Sequence, residues 1–165
     1  MILREMTDVA ELKTNALRIL DKAQVPYEIH TYEAAQAVDG VTVAAKLGQP
    51  VERVFKTLVT RGKGGFFVFV VPAAEELDLK KAARAAGEKS VEMIPVKDIQ
   101  QVTGYIRGGC SPVGMKKPYP TVIDSSAEGL DTIIVSAGRI GLQMELEPQA
   151  LCRLIHAAFA PITKE

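Results

Sequence analysis

Val54–Arg61 reads VFKTLVTR, Gly62–Gly65 reads GKGG with three glycines, and Phe66–Val71 reads FFVFVV. Two runs rich in β-branched and aromatic residues, joined by a short glycine loop, predict a hairpin. FFVFVV is apolar at every position, so neither face suits water. That places it at the centre of a sheet or in a barrel wall.

Upstream of the hairpin, Thr7–Asp8 is expected to cap a helix with an apolar stripe of Leu12, Ala16, Ile19, Leu20 and Ala23, ended by Pro26. Tyr27–Tyr32 (YEIHTY) alternates as a strand, and Glu33–Gly40 reads as a loop. Val41–Leu47 is a short helix stopped by Gly48 and Pro50. Downstream, Asp78 caps a helix through Leu79, Ala82, Ala83 and Ala86 to Gly87. Val91–Ile94 is a short strand, and Pro95–Val102 a short helix with Pro in its first turn. Gly104–Gly114 (GYIRGGCSPVG) is too rich in glycine for regular structure and predicts an ordered loop. Thr121–Asp124, Thr132–Ser136 and Ile140–Leu146 read as strands. Pro148–Phe159 reads as a closing helix with Leu151, Leu154, Ile155 and Ala158 inward. Strands and helices mix without strict alternation. The fold class is therefore α/β of the α+β type, a mixed and partly barrel-like sheet flanked by helices, in one domain over residues 1–165.

The chain has 165 residues, 20 Lys plus Arg and 20 Asp plus Glu, so its formal net charge is zero. Hydrophobic residues make up 47%, enough for a core that does not depend on metal or disulfides. Charge balance argues against a protein that coats DNA or other nucleic acid through a basic excess, but leaves room for a local basic patch. No apolar run is long enough to span a bilayer, and the charged N-terminus lacks a signal-peptide core. A cytoplasmic protein without membrane attachment is expected. Cys110 and Cys152 form no CxxC pair, and His30 and His156 lie far apart. The spacing matches no zinc pattern, and no cofactor is expected.

Lys56 stands out because it interrupts an apolar strand. It is either an edge lysine whose head reaches water, or a cation at a pocket floor where carbonyl oxygen gains charge. In residues 104–117, Gly108 and Gly109 let main-chain N–H groups approach a ligand, with Arg107, Lys116 and Lys117 around them. A tight solvated turn is the alternative. Cys110 and Ser111 suggest a nucleophile, but no activating base is adjacent in sequence. Ser136–Leu142 (SAGRIGL) is a hairpin turn.

Together these pieces resemble the YbaK family, free-standing relatives of the editing domains that act with prolyl-tRNA synthetase. The resemblance runs from about Thr14 to Phe159. It rests on KTNALRILDKAQVPYEIHTY, VFKTLV, LDLKKAARAAG, VEMI, TGYIRGGCSPVGMKK and VSAGRIGL, in that order. It implies an aminoacyl-tRNA deacylase without a metal. The typical substrate would be cysteine mischarged on the proline tRNA, and the enzyme would work beside prolyl-tRNA synthetase. The family's lysine falls on Lys56 and its neighbouring threonine on Thr57. The pocket tyrosine falls on Tyr32, the glycine loop on Gly108, Gly109 and Ser111, and the serine–glycine turn on Ser136 and Gly138. Some members carry Asp where this chain has Gln143, so amide hydrogen bonding carries over and a carboxylate's role does not.

The resemblance therefore assigns Lys56 with the Gly108 and Gly109 amides to catalysis. Tyr32, Thr57, Ser111, Ser136, Gly138 and Gln143 would hold the substrate, and Arg107, Lys116, Lys117 and Arg139 the tRNA. The substrate's thiol would attack its own ester, which accounts for the missing protein nucleophile. Three alternatives stay open at the level of sequence: clearance of another small amino acid such as alanine, a non-catalytic module that binds aminoacyl ends, and a redox role for Cys110.

Overall fold

The computed structural model describes residues 13–34 and 38–165. The chain runs α1 (Asn15–Lys22), β1 (Glu28–Thr31), α2 (Gly40–Leu47), β2 (Phe55–Gly62), β3 (Gly65–Pro72), α3 (Leu79–Ala86) and β4 (Glu92–Met93). It continues α4 (Ile99–Thr103), β5 (Thr121–Asp124), β6 (Ile133–Arg139), β7 (Leu142–Leu146), α5 (Pro148–Leu154) and β8 (Ala158–Ala160).

The predicted hairpin forms, with a tighter turn than the four residues Gly62–Gly65. β2 and β3 pair antiparallel from Phe55 opposite Pro72 to Gly62 opposite Gly65, leaving Lys63–Gly64 as the loop. β3 sits in the middle of a five-stranded sheet of order β4-β2-β3-β5-β8. Val68, Phe69, Val70 and Val71 are fully buried, as a strand covered on both faces requires. One face carries Phe67, Phe69 and Val71 against Ala82 and Ala83 of α3. The other joins Val70 and Ile123 to α1, α5 and the second sheet.

That second sheet has three strands, β1-β7-β6, all antiparallel. The two sheets share one core, and among the described residues their main chains join at one bridge, between Val54 and Ile134. This is the physical content of the partly barrel-like expectation: among the described residues the sheets touch at a corner and no barrel closes.

Helix boundaries follow their caps. Thr14 caps α1, Asp39 caps α2 and Asp78 caps α3, each accepting from a first-turn N–H. Gly48 and Gly87 end α2 and α3 in the left-handed conformation. Gly40, read as the end of a loop, is the first residue of α2. A Cβ there would lie 2.3 Å from the Ala73 Cβ, so only glycine lets α2 approach the end of β3. The expected cap at Thr7–Asp8 and the stripe residue Leu12 lie outside the described residues. Among the described residues, no helix is long and apolar enough to cross a membrane.

Two expectations are corrected. The helix over Pro95–Val102 divides into a 3-10 turn (Val96–Asp98) and α4. The closing helix stops at Leu154 instead of running to Phe159, and Ala158–Ala160 becomes β8, parallel to β5. The stop is a Schellman motif without glycine. His156 takes φ +54°, Ala157 N–H donates to Cys152 O at 2.9 Å, and His156 N–H to Arg153 O at 3.4 Å.

Candidate active site

β2 is the element that builds the site. One edge pairs with β3 throughout, while the opposite edge pairs with β4 only at Thr60 and Arg61. Beyond that, Val59 O accepts from Ile94 N–H at 3.2 Å, and Val54 bridges to Ile134. Between these two attachments the edge has no strand partner. A cavity of about 530 Å³ opens there, lined by every residue from Val54 to Val59. Side chains alternate along a strand, so six consecutive lining residues mean that the strand edge itself, with its main-chain polar groups, forms the wall.

Lys56 lies on this wall, not at a solvated edge remote from any pocket. It is half-buried and takes part in no ion pair among the described residues. Its neighbour Thr57 also lines the cavity, and its hydroxyl oxygen is buried with no hydrogen-bond partner. Buried polar atoms are nearly always paired, so an orphan hydroxyl in a residue of the cavity wall sets Thr57 apart from its neighbours.

The glycine loop forms the facing part of the wall through Arg107, Gly108 and Cys110. No regular structure spans residues 104–120, yet side chains fix the segment. Tyr105 donates its hydroxyl to Val113 O at 2.6 Å, and its N–H donates to Thr103 Oγ1 at 3.0 Å. Tyr119 donates to Val102 O at 2.6 Å. The two glycines divide the work. Gly108 takes φ +84° and faces the cavity, and its N–H has no partner among the described residues. Gly109 N–H is spent on Ile106 O at 3.0 Å, and a Cβ there would lie 3.1 Å from Arg139 Cα and from Ile140 N. Gly109 therefore lets the loop pack against the β6–β7 turn.

The small sheet supplies Ser136 and Gln143, and Tyr32 follows β1 directly. Ser136 stands opposite Gln143 in the β6–β7 register. Its Oγ accepts from Gly138 N–H at 3.2 Å. His30 stands opposite Gln143 on β1 and meets Glu145 through Nε2 at 2.7 Å, and Thr132 donates to the same carboxylate. This chain of bonds ties β1 to β7 beside the cavity.

Of the residues singled out from sequence, Tyr32, Lys56, Thr57, Arg107, Gly108, Ser136 and Gln143 share the cavity wall, and Cys110 joins them. Gly109, Ser111, Gly138, Lys116, Lys117 and Arg139 do not line it. Ser111 is fully buried and its Oγ accepts from Val113 N–H at 3.2 Å, an internal loop brace. Gly138, at φ +106°, gives room to the Tyr105 ring, which a Cβ would meet at 2.9 Å. Lys116 reaches Gln101 O at 3.0 Å, at the end of α4. Sequence reading missed Asp39, Gly40 and Val43 at the start of α2, and Met93, Ile94, Val96 and Ile99. The available signal was the Asp39–Gly40 cap, which reads as a helix start.

Burial pushes the Cys110 thiol up to about 11, against a weaker lowering by a hydrogen bond from Thr103. A thiol that stays protonated at neutral pH is a poor nucleophile and a poor redox centre. The cavity thus offers a free cation, an unpartnered N–H and an orphan hydroxyl, with no activated side-chain nucleophile. Such a site can hold a carbonyl and stabilise its oxygen as charge grows.

A family model for the aminoacyl-tRNA editing domain matches residues 34–154. An Enterococcus faecalis protein named EbsC, provisionally a Cys-tRNA(Pro)/Cys-tRNA(Cys) deacylase, is 50% identical over 92% of this chain and 93% of its own. The proline–tRNA ligase of Fervidobacterium nodosum is 31% identical over 56% of this chain, a stretch that makes up 16% of the ligase. A crystal structure described as a provisional trans-editing enzyme for prolyl tRNA synthetase superposes with a TM-score of 0.80 at 24% identity. It covers 93% of this chain and 99% of that one, and shows the shared fold.

Proposed function

The chain belongs to the aminoacyl-tRNA editing-domain family, and from that premise we propose that it is a trans-acting deacylase clearing cysteine mischarged on the proline tRNA. The observation that carries this reading is that Lys56 and Gly108 share one cavity wall with the orphan hydroxyl of Thr57. The similarity to a protein named for Cys-tRNA(Pro) and Cys-tRNA(Cys) supports cysteine as the amino acid. Similarity to part of a proline–tRNA ligase supports work beside that enzyme.

An aminoacyl ester is already activated, so the site needs only to hold it and favour the charged transition state. Lys56 Nζ and the Gly108 N–H face the developing oxyanion. Gly109 sets the loop that presents its neighbour. Thr57, Tyr32, Ser136 and Gln143 hold the α-amino group and the ribose hydroxyls. The substrate's sulfur attacks the carbonyl carbon. A C–S bond forms, the C–O bond to ribose breaks, and the thiol proton ends on the released ribose hydroxyl. The products are deacylated tRNA with a free ribose hydroxyl and a cyclic thiolactone, which water opens to cysteine. Size alone separates small side chains by about 1–3 kcal/mol per methylene, so a reacting thiol adds selectivity that a pocket lacks.

The test is deacylation of cysteine-, alanine- and serine-charged proline tRNA by the wild type and Lys56→Ala, with and without the synthetase. The expected result is rapid loss of cysteine, far slower loss of serine, and a drop of about 10²–10³ in kcat for Lys56→Ala. A Lys56→Ala enzyme as fast as the wild type overturns the mechanism. Equal rates for cysteine and serine replace thiol attack with water attack.

A further inference from the structure

Among the described residues that line the cavity, Lys56 and Arg107 bring positive charge and Asp39 brings the single carboxylate. The oxyanion site makes no use of it. Asp39 stands directly before α2 and caps that helix, accepting from Thr42 N–H at 2.7 Å. Every group that holds the carboxylate belongs to this helix start, Thr42 foremost, and none is a cation. These donors keep its carboxyl below the ordinary range, so it is ionised at neutral pH. Among the described residues it enters no ion pair. Its charge is capped by dipoles and left without a counter-ion.

Packing fixes where that charge stands. A Cβ on the next residue, Gly40, would lie 2.3 Å from Ala73 Cβ and 3.8 Å from Val54 Cγ1. The start of α2 is therefore pressed onto the start of β2, two residues before Lys56. An aminoacyl ester carries an ammonium on the carbon next to its carbonyl. A cavity whose charges were Lys56 and Arg107 alone would repel that ammonium. Tyr32, Thr57, Ser136 and Gln143 can hydrogen-bond to it but bring no charge of their own. We propose that Asp39 is the counter-ion of the substrate's α-ammonium and makes a free amino group a condition of substrate choice. Lys56 then meets the carbonyl oxygen and Asp39 the neighbouring nitrogen, one charge for each end of the acyl group. An N-acylated ester, as in peptidyl-tRNA, has no ammonium and forfeits the pair. This rests on the deacylase reading for the identity of the ligand, and adds a specificity-determining residue to it.

The experiment compares cysteinyl-tRNA with 3-mercaptopropionyl-tRNA, which keeps the thiol and the ester and lacks the amino group. Both are offered to the wild type, Asp39→Asn and Asp39→Ser. Asn and Ser cap helices about as well as Asp, so α2 keeps its start while the charge is lost. The quantity read is the ratio of kcat/KM for the two substrates, in which their different intrinsic reactivities cancel between enzymes. That ratio should fall about three- to tenfold in both variants, the worth of a charge-assisted bond at an exposed carboxylate. In parallel, two stable amides are titrated as ligands, 3′-cysteinylamino-3′-deoxyadenosine and its desamino counterpart. The wild type should bind the ammonium-bearing amide more tightly by a similar factor, and the variants should lose that preference. An unchanged kcat/KM ratio overturns the proposal, whether both substrates keep their rates or both slow equally. So does a wild type that binds the two amides alike. Cleavage of cysteinyl-tRNA with an unaltered ratio in the variants leaves the deacylase reading standing without Asp39. A wild type that cleaves neither ester, yet prefers the ammonium-bearing amide through Asp39, keeps the ion pair and sinks the deacylase reading.

Discussion

Thr57 carries the most local consequence of the site. Its orphan hydroxyl has lost water without gaining a protein partner, a state that costs about 1–3 kcal/mol. Thr57→Val keeps the branched shape and removes that burden. The variant should melt at a higher temperature while its kcat/KM on cysteinyl-tRNA falls about tenfold, the worth of one hydrogen bond to a bound ligand. A lower melting temperature would mean that the hydroxyl serves the fold. Cys110 gives the opposite case, a reactive residue type made inert by position. Burial raises its thiol to about 11, so Cys110→Ala should keep activity within about twofold. Iodoacetamide should label Cys110 slowly in native protein at pH 8 and rapidly in urea, and fast native labelling would reopen the redox reading.

Elements differ in how much of them their own residues declare. The hairpin, α2, α3 and the later strands are legible because pattern and punctuation agree: apolar runs bounded by glycine, or a stripe between an Asp cap and a Gly stop. The site half follows. Lys56 is visible as a charge inside an apolar strand, and Gly108 as half of a glycine pair. Sequence could not divide the labour of that pair, because the division depends on Arg139 and Ile140 packing against Gly109. It also could not show that β2 leaves an edge open, which depends on β4 and β6 attaching at its two ends. The end of α5 was misread for a local reason: the helical stripe continues through Ile155 and Ala158, and no glycine announces the stop. His156 in the left-handed region carries a cost of about 1 kcal/mol that glycine avoids. His156→Gly should therefore raise stability in urea titrations by about 0.5 kcal/mol, once the greater freedom of unfolded glycine is subtracted. The β1–β7 pair has its own pH signature. Burial works to raise the Glu145 carboxyl, but hydrogen bonds from Thr132 and His30 together hold it below the ordinary range. Its stabilising contribution is complete above the ordinary carboxyl pKa and is lost as pH falls through the lowered one. Glu145→Gln should flatten that acid limb in melts recorded from pH 6 to pH 3, and an unchanged limb would assign it to other carboxylates.

At the scale of the whole molecule, 20 positive against 20 negative side chains leave no general attraction for a polyanion. Any affinity for tRNA must come from where the cations stand. Arg107 lines the cavity and Arg139 ends β6, against Gly109. Lys116 and Lys117 extend the same glycine loop. These four cations lie on the glycine loop or against it. A patch of three or four phosphate contacts releases a countable number of ions, about 0.7–0.9 per contact. The logarithm of the association constant for uncharged proline tRNA should therefore fall with the logarithm of salt concentration with a slope of about −2 to −4. Arg107→Ala and Lys117→Ala should each reduce that slope by about 0.7–0.9, and a distant Lys63→Ala should leave it alone. Fluorescence anisotropy between 50 and 300 mM salt, about the range over which such contacts weaken steeply, gives the slopes directly. A slope near zero in the isolated protein, restored when the synthetase is added, would move tRNA recognition to the partner and leave this chain with the terminal nucleotide and its ester alone.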